Sequence, residues 1–397
     1  MLTDIAVIFI LGIIFARFSE NIGLAPIIGM LIAGILISPN QLGLVSESIV
    51  NLSADLRQIA LVTILTRAGL SLNIDKLKKV GRPAIFLSFL PATFEMLGLI
   101  IFGRMIFKIN TIDAGILAAV LAAVSPAIVV PRMIKLMDEG YGKDKSIPEM
   151  ILAGASVDDV FVIVFFSSFL ALKTGGQLSA MSFINIPISI ATGILLGIVV
   201  GQISTSLFRK FNLASIYKAM IFISISFLML KLQSMVEDYI AIAALISIMT
   251  SGVIINRKDE TLAKELLSSY DRLWKVFELF LFVLVGISVD MSYVKEAGIL
   301  AVLLILIGLI FRMVGVNISL LGTNLNKDER LFTSFAYLPK ATVQAAIGPV
   351  ALSMGLSSGN LILSVSVIAI LITAPLGAIL TDKTYKKLLK KGTVEKR

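Results

Sequence analysis

The chain has 397 residues, 57% of them hydrophobic and 15% charged, with a net charge of +9 and a mean hydropathy of +0.97. Soluble domains carry roughly 25% charged residues, so this composition excludes a soluble globular protein and points to a polytopic membrane protein. With no Cys and no His, disulfides, thiolate metal sites, thiol redox chemistry and a histidine pH switch are excluded.

Taken in order, apolar runs of about 17–25 residues give thirteen expected spans, at 4–18, 23–38, 56–73, 82–106, 113–136, 147–172, 184–208, 214–231, 238–256, 270–290, 297–321, 329–350 and 357–381. The first run, from Ile5 to Ala16, has no basic segment before it and no small-residue cleavage site after it, so it reads as a span and not as a signal peptide. No stretch between spans is long enough to fold as a separate domain. The expected fold is therefore one all-α integral membrane domain.

Most Lys and Arg residues alternate onto one side, in the loops around Lys76, Arg132, Arg209, Arg257 and Lys327 and in the tail 383–397. The positive-inside rule puts that side in the cytoplasm, with the N-terminus outside, and the expected location is the cell (inner) membrane of a prokaryote. Basic residues dispersed in this way orient a protein in a bilayer and do not form a nucleic-acid site. The bilayer is the expected partner, with anionic lipid at the tail as a candidate.

The chain also repeats itself. Gly34 with Gly252, Gly69 with Gly286, Glu95 with Arg312 and Pro126 with Pro339 fall in similar local sequences, separated by 218, 217, 217 and 213 residues. The expected organisation is repeat one over 1–175, a connector span at 184–208 and repeat two over 212–382. An offset of seven spans inverts the second half, giving inverted six-helix repeats of the kind secondary transporters use for alternating access.

In both halves a proline interrupts an apolar run beside polar residues: Ser125-Pro126 in one, and Pro339-Lys340 followed by Thr342 and Gln344 in the other. Proline removes a backbone donor and frees carbonyls that need partners, so two interrupted helices in equivalent positions are expected at the binding site. Directly after the first break, Asp158 and Asp159 stand in the middle of an apolar span, where charge is expensive. Adjacent helix positions differ by about 100°, so the two carboxylates point apart, and Ser156 shares the face of Asp159. Carboxylate, hydroxyl and freed backbone oxygens suit a hard cation such as Na+ or Li+. Burial and a neighbouring carboxylate favour an acid's protonated form and a nearby cation its ionised form, so the same pair also suits protons. Competition between cation and proton for one carboxylate would couple the two flows. No acid stands near 364–373 in the second half, so one such site per chain is expected. Glu95 and Arg312 are expected to form a buried ion pair, with Asp158 as candidate third member. Arg67 and Lys340 are expected as helix-end or carbonyl-satisfying cations, Arg67 by snorkelling.

These motifs resemble the cation/proton antiporter superfamily and its NHA-type sodium/proton exchanger branch. They are Leu65-Thr66-Arg67-Ala68-Gly69-Leu70, Ser125-Pro126 through Pro131, Gly140-Tyr141-Gly142, Ile147-Pro148 through Asp158-Asp159, and Phe335 through Gly348 around Pro339-Lys340. The resemblance implies a homodimer with a dimerisation domain and a mobile core moving elevator-fashion. It implies that Asp159 binds the cation, that Asp158 assists, and that Ser125 lies beside the crossed helices. Where several such antiporters carry a membrane lysine against the first aspartate, this chain carries Arg312, which does not deprotonate and cannot be a second proton carrier. The expectation is a Na+(Li+)/H+ antiporter, not an enzyme, with no cofactor beyond the transported ions. K+/H+ exchange, a sodium-coupled organic anion symporter and a cation channel are the alternatives.

Overall fold

In a computed structural model the structure describes residues 1–72, 81–174, 180–211, 213–236, 240 and 242–392, without the side chains of 51, 156, 174, 180–187, 296 and 297. Lys76, Lys78 and Lys79, the side chain of Ser156 and tail residues 393–397 therefore lie outside what is described. The described residues are almost entirely helical. The elements are α1 (Leu2–Asn21), α2 (Pro26–Ile37), α3 (Glu47–Ser71), α4 (Arg82–Leu87), α5 (Leu90–Phe107), α6 (Thr111–Ala122), α7 (Pro126–Glu139), α8 (Ile147–Thr174), α9 (Ala180–Lys210), α10 (Ser215–Val236), α11 (Ala244–Lys258), α12 (Glu260–Ile287), α13 (Met291–Ser319), α14 (Lys327–Ala336), α15 (Thr342–Ile347), α16 (Val350–Ser353) and α17 (Gly359–Leu388).

Each expected span falls on one of these helices or on a broken run of them. Among the described residues nine helical stretches are long and apolar enough to cross a membrane, with α4–α5 and α6–α7 each taken as one stretch. The shortfall has local causes. Helices α2 and α11 have only 12 and 15 residues, α12 carries charges through its first half, and α14 to α16 are interrupted.

The chain divides into two compact units: Met1–Asn51, Ile74–Val162 and Phe282–Arg397 form the first, and Leu52–Asn73 with Ile163–Leu281 the second. Both are assembled on glycines, because helices in lipid gain little from burying apolar surface and must instead pack closely. In the first unit a side chain at Gly34 of α2 would collide with the Val283 carbonyl of α12, and Gly34 lies against Gly286. Helices α5 and α13 meet through Gly98 against the Phe311 ring, Gly308 against Leu99, and Gly315 against the Leu90–Pro91 backbone. In the second unit Gly193, Gly197 and Gly201, spaced four residues apart, form a stripe on α9 against α11, and Gly69 of α3 lies against Gly252 of α11. Gly34→Val is expected to cost about 1–3 kcal/mol by overpacking, read as a lower Tm. Gly298→Ala, which meets nothing within 4 Å, is expected to leave Tm unchanged or slightly raised.

Helix ends in the first unit are tied down by sequence-local caps. Asn110 accepts from the Asp113 amide at 2.9 Å to open α6. A reciprocal Asn326–Glu329 capping box opens α14, and Lys145 donates to Glu329 Oε2 at 2.7 Å. Pro126 stands at the first position of α7, where its missing N–H would have had no partner anyway.

Candidate functional site

The first unit contains two helical breaks, and they meet. Between α6 and α7 the chain is extended at Ala123 and Ser125; between α14 and α15 it runs through Tyr337 to Ala341. The Ser125 amide donates to the Pro339 carbonyl at 2.8 Å, joining the breaks backbone to backbone. Opposite Ser125 stands Thr342, hydroxyl to hydroxyl at 3.5 Å. The two prolines do not hold equivalent places: Pro126 starts a helix, whereas Pro339 sits within the non-helical segment and presents its carbonyl.

A helix that stops inside a bundle leaves its last carbonyls and the following amides without partners, and at its C-terminus those carbonyls form the negative end of the helix dipole. The last carbonyls of α6 are taken by cations and an amide. Leu121 O accepts from Lys340 Nζ at 2.5 Å, Ala122 O from Arg312 Nη1, and Ala123 O from Gln344 Nε2 at 2.9 Å. The next amide, Val124 N, donates to Asp158 Oδ2 at 2.8 Å. In the second break the Lys340 amide donates to Thr373 Oγ1 at 3.0 Å. Asp158 on α8 and Thr373 on α17 thus do the same job for the two interrupted helices, one with a charge and one without.

Those side chains also form one charged cluster. Arg312, with no exposed surface, donates to Glu95 Oε2 at 2.6 Å, to Asp158 Oδ2 at 3.0 Å and to the Tyr337 carbonyl at 2.5 Å. Lys340 Nζ lies 2.6 Å from Glu95 Oε1, so Glu95 bridges the two cations. Asp159, 5% exposed, has no hydrogen bond or ion pair among the described residues, and Oδ1 atoms of both aspartates are buried without a hydrogen-bond partner. Asp158 is held on one oxygen by Arg312 and Val124, whereas Asp159 is held by nothing described. Three buried carboxylates, Glu95, Asp158 and Asp159, face two buried cations, Arg312 and Lys340. With every group ionised the cluster carries one uncompensated negative charge.

The sequence reading singled out nearly all of these residues, but it missed how they connect. Lys340, expected as a helix-end or carbonyl-satisfying cation, does hold the Leu121 carbonyl but also pairs with Glu95, and the roles of Thr373 and the Tyr337 carbonyl have no signal in the sequence. Arg67 differs more sharply. Instead of snorkelling it belongs to the second unit, ion-paired to Asp271 at 2.7 Å with its guanidinium 5.3 Å from the Trp274 ring centre. A carboxylate one helix away, together with an aromatic face, holds it where it is. Removing Gln344 isolates the carbonyl-satisfying role. Gln344→Ala leaves the Ala123 carbonyl buried without its donor and is expected to cost about 1–3 kcal/mol, read as a lower unfolding temperature of the detergent-solubilised protein.

The family profile described as Sodium/hydrogen exchanger, transmembrane matches residues 5–384. Sodium/hydrogen exchanger 9B2 of Mus musculus is 31% identical over 389 residues, covering 93% of this chain and 69% of its own. Sodium/hydrogen exchanger 9B1 of Homo sapiens is 30% identical over 381 residues, covering 92% of this chain and 73% of its own. Among solved structures, the sodium proton antiporter MjNhaP1 from Methanocaldococcus jannaschii superposes with a TM-score of 0.80 at 20% identity, covering 97% of this chain and 96% of that one. That likeness establishes the fold.

Proposed function

The chain belongs to the sodium/hydrogen exchanger family, and we propose that it exchanges Na+ or Li+ for H+ across a membrane, with the two ions competing for Asp159. The observation that carries this reading is the charge imbalance of the buried cluster. Glu95, Arg312, Lys340 and Asp158 are tied to each other and to the ends of α6, so the one uncompensated charge is left for Asp159. One proton or one monovalent cation neutralises it, and not both at once. Stripping a charge of its counter-charge in a buried site costs several kcal/mol, so the bare state is avoided and the two ions exchange. The unpartnered carboxylate oxygens supply hard ligands for Na+ or Li+. Both ions are cargo.

Alternating access rests on the inverted repeats. The correspondence of Gly34 with Gly252 and of Gly69 with Gly286 supports them, because it converts the contact Gly34–Gly286 into the contact Gly252–Gly69, and both are made. Residues that sit near a pseudo-twofold axis touch their own equivalents. Glu95–Arg312 is such a pair, separated by 217 residues. The working unit is a homodimer in the bilayer, with the N-terminus outside and the basic tail in the cytoplasm.

The test is proton flux in proteoliposomes with an acidic lumen, adding Na+, Li+, K+ or choline in turn. Na+ and Li+ are expected to collapse the proton gradient and choline to leave it. A response to K+ alone would replace this reading with K+/H+ exchange, and a response to none of them would remove it.

A further inference from the structure

On the outer flank of α13 lies a groove of about 480 Å3. Its floor is an apolar row from Ile310 through Val314 to Leu321, and its polar members are Asn317 and Arg330. Asn317 is occupied by the Ser334 hydroxyl at 3.2 Å and the Met313 carbonyl at 2.8 Å. Arg330 leans on the turn that follows α13, donating to Leu325 O at 3.1 Å and Thr323 O at 3.5 Å. A second arginine reaches the turn beside Leu321: Nη1 of Arg82 passes 3.4 Å from where a Cβ on Gly322 would stand, and its guanidinium covers the Phe86 ring at 4.9 Å. Among the described residues neither arginine has a carboxylate partner. Lys145, which donates to the Asn324 carbonyl of that turn, is already matched by Glu329.

We propose that this groove binds one anionic phospholipid, its phosphate held between Arg82 and Arg330 and one acyl chain lying along α13 from Leu321 to Ile310. The dimensions fit one leaflet. At 1.5 Å per residue the row is about 16 Å long, close to half of the roughly 30 Å hydrocarbon thickness. Charge fits as well: among the described residues Arg82 and Arg330 have no carboxylate partner, and their planar forks match phosphate oxygens two at a time. Both arginines lie on the side that the distribution of basic residues assigns to the cytoplasm, where the leaflet is richer in anionic lipid. The site is separate from the aspartate cluster, yet shares its two helices. The inner side of α13 presents Arg312 to Glu95 and Asp158, and α14 leads from Arg330 to the Tyr337 carbonyl that holds Arg312. A lipid in the groove braces the arm on which that cation is mounted.

The experiment is a thermal melt of the full-length protein in neutral detergent with phosphatidylglycerol, phosphatidylcholine or inorganic phosphate added. Phosphatidylglycerol is expected to raise Tm by at least about 3 °C through binding linkage, with phosphatidylcholine and phosphate giving no rise. The double variant Arg82→Gln/Arg330→Gln is expected to lose the rise, as is Val314→Trp, which fills the groove with both charges in place. Arg82→Gln alone removes an exposed side chain that holds no backbone group, and is expected to weaken half-saturation by phosphatidylglycerol at least about threefold even if the double variant does not fold. A phosphatidylglycerol rise unchanged in these variants, or an equal rise with phosphatidylcholine or with phosphate alone, would overturn the site. So would Val314→Trp changing the oligomeric state while leaving the lipid response intact, since the groove would then be a contact between copies of the chain.

Discussion

Asp159→Asn is expected to bring Na+- and Li+-driven proton flux in proteoliposomes down to the protein-free background while leaving the fold intact. The amide has the shape of the acid but can take up neither a proton nor, with useful strength, a cation, and Asp159 gives up no ion pair when it is replaced. Its Tm is expected to hold or rise, because the substitution removes the one charge in the cluster that has no partner. Asp158→Asn serves as the contrast. It gives up the 3.0 Å contact to Arg312 and weakens the acceptor for the Val124 amide, so it is expected to lower transport and stability together. Full Na+-driven flux in Asp159→Asn would mean that the exchanged proton and cation sit elsewhere.

The largest stability effect is expected at Arg312. This side chain holds Glu95, Asp158 and the carbonyls of Ala122 and Tyr337 from a position with no exposed surface. Arg312→Gln leaves one buried carboxylate without its cation and two carbonyls without their donor, for an expected cost of about 3–5 kcal/mol. Glu95→Gln is expected to cost less at the Arg312 end, because Arg312 keeps Asp158, but it also releases Lys340. The double-mutant cycle between them should show a coupling of about 0.5–3 kcal/mol in unfolding stability. Additive losses would mean that the 2.6 Å contact carries no interaction energy of its own.

The parts of the site that were legible in the sequence are those that violate the membrane's chemistry locally. Asp158, Asp159, Glu95 and Arg312 announce themselves because a charge in an apolar run is costly wherever the run is placed. Pro126 and Pro339 do so because proline interrupts a helix whatever surrounds it. The assignments made by Lys340, Gln344 and Thr373 were not legible, because they depend on which carbonyls and amides the other broken helix leaves open, and that is known only once the breaks cross. Arg67 was misread for a similar reason: snorkelling is the right expectation for an arginine near a helix end, but Asp271, 204 residues away in sequence, supplies a nearer partner. The glycine pairs were partly legible. Gly34 and Gly69 stand out by their likeness to Gly252 and Gly286, yet each touches the counterpart of the other: Gly34 lies against Gly286 and Gly69 against Gly252.

The central claim is that one carboxylate serves both ions in turn, and it is tested most directly by the pH dependence of the apparent KM for Na+ in proteoliposomes. Single-site competition predicts that KM rises about tenfold per pH unit on the acid side, one proton displacing one cation, while the maximal rate at saturating Na+ stays constant. A KM that holds steady across that range while the maximal rate falls would contradict it, because proton and cation would then be binding to different groups.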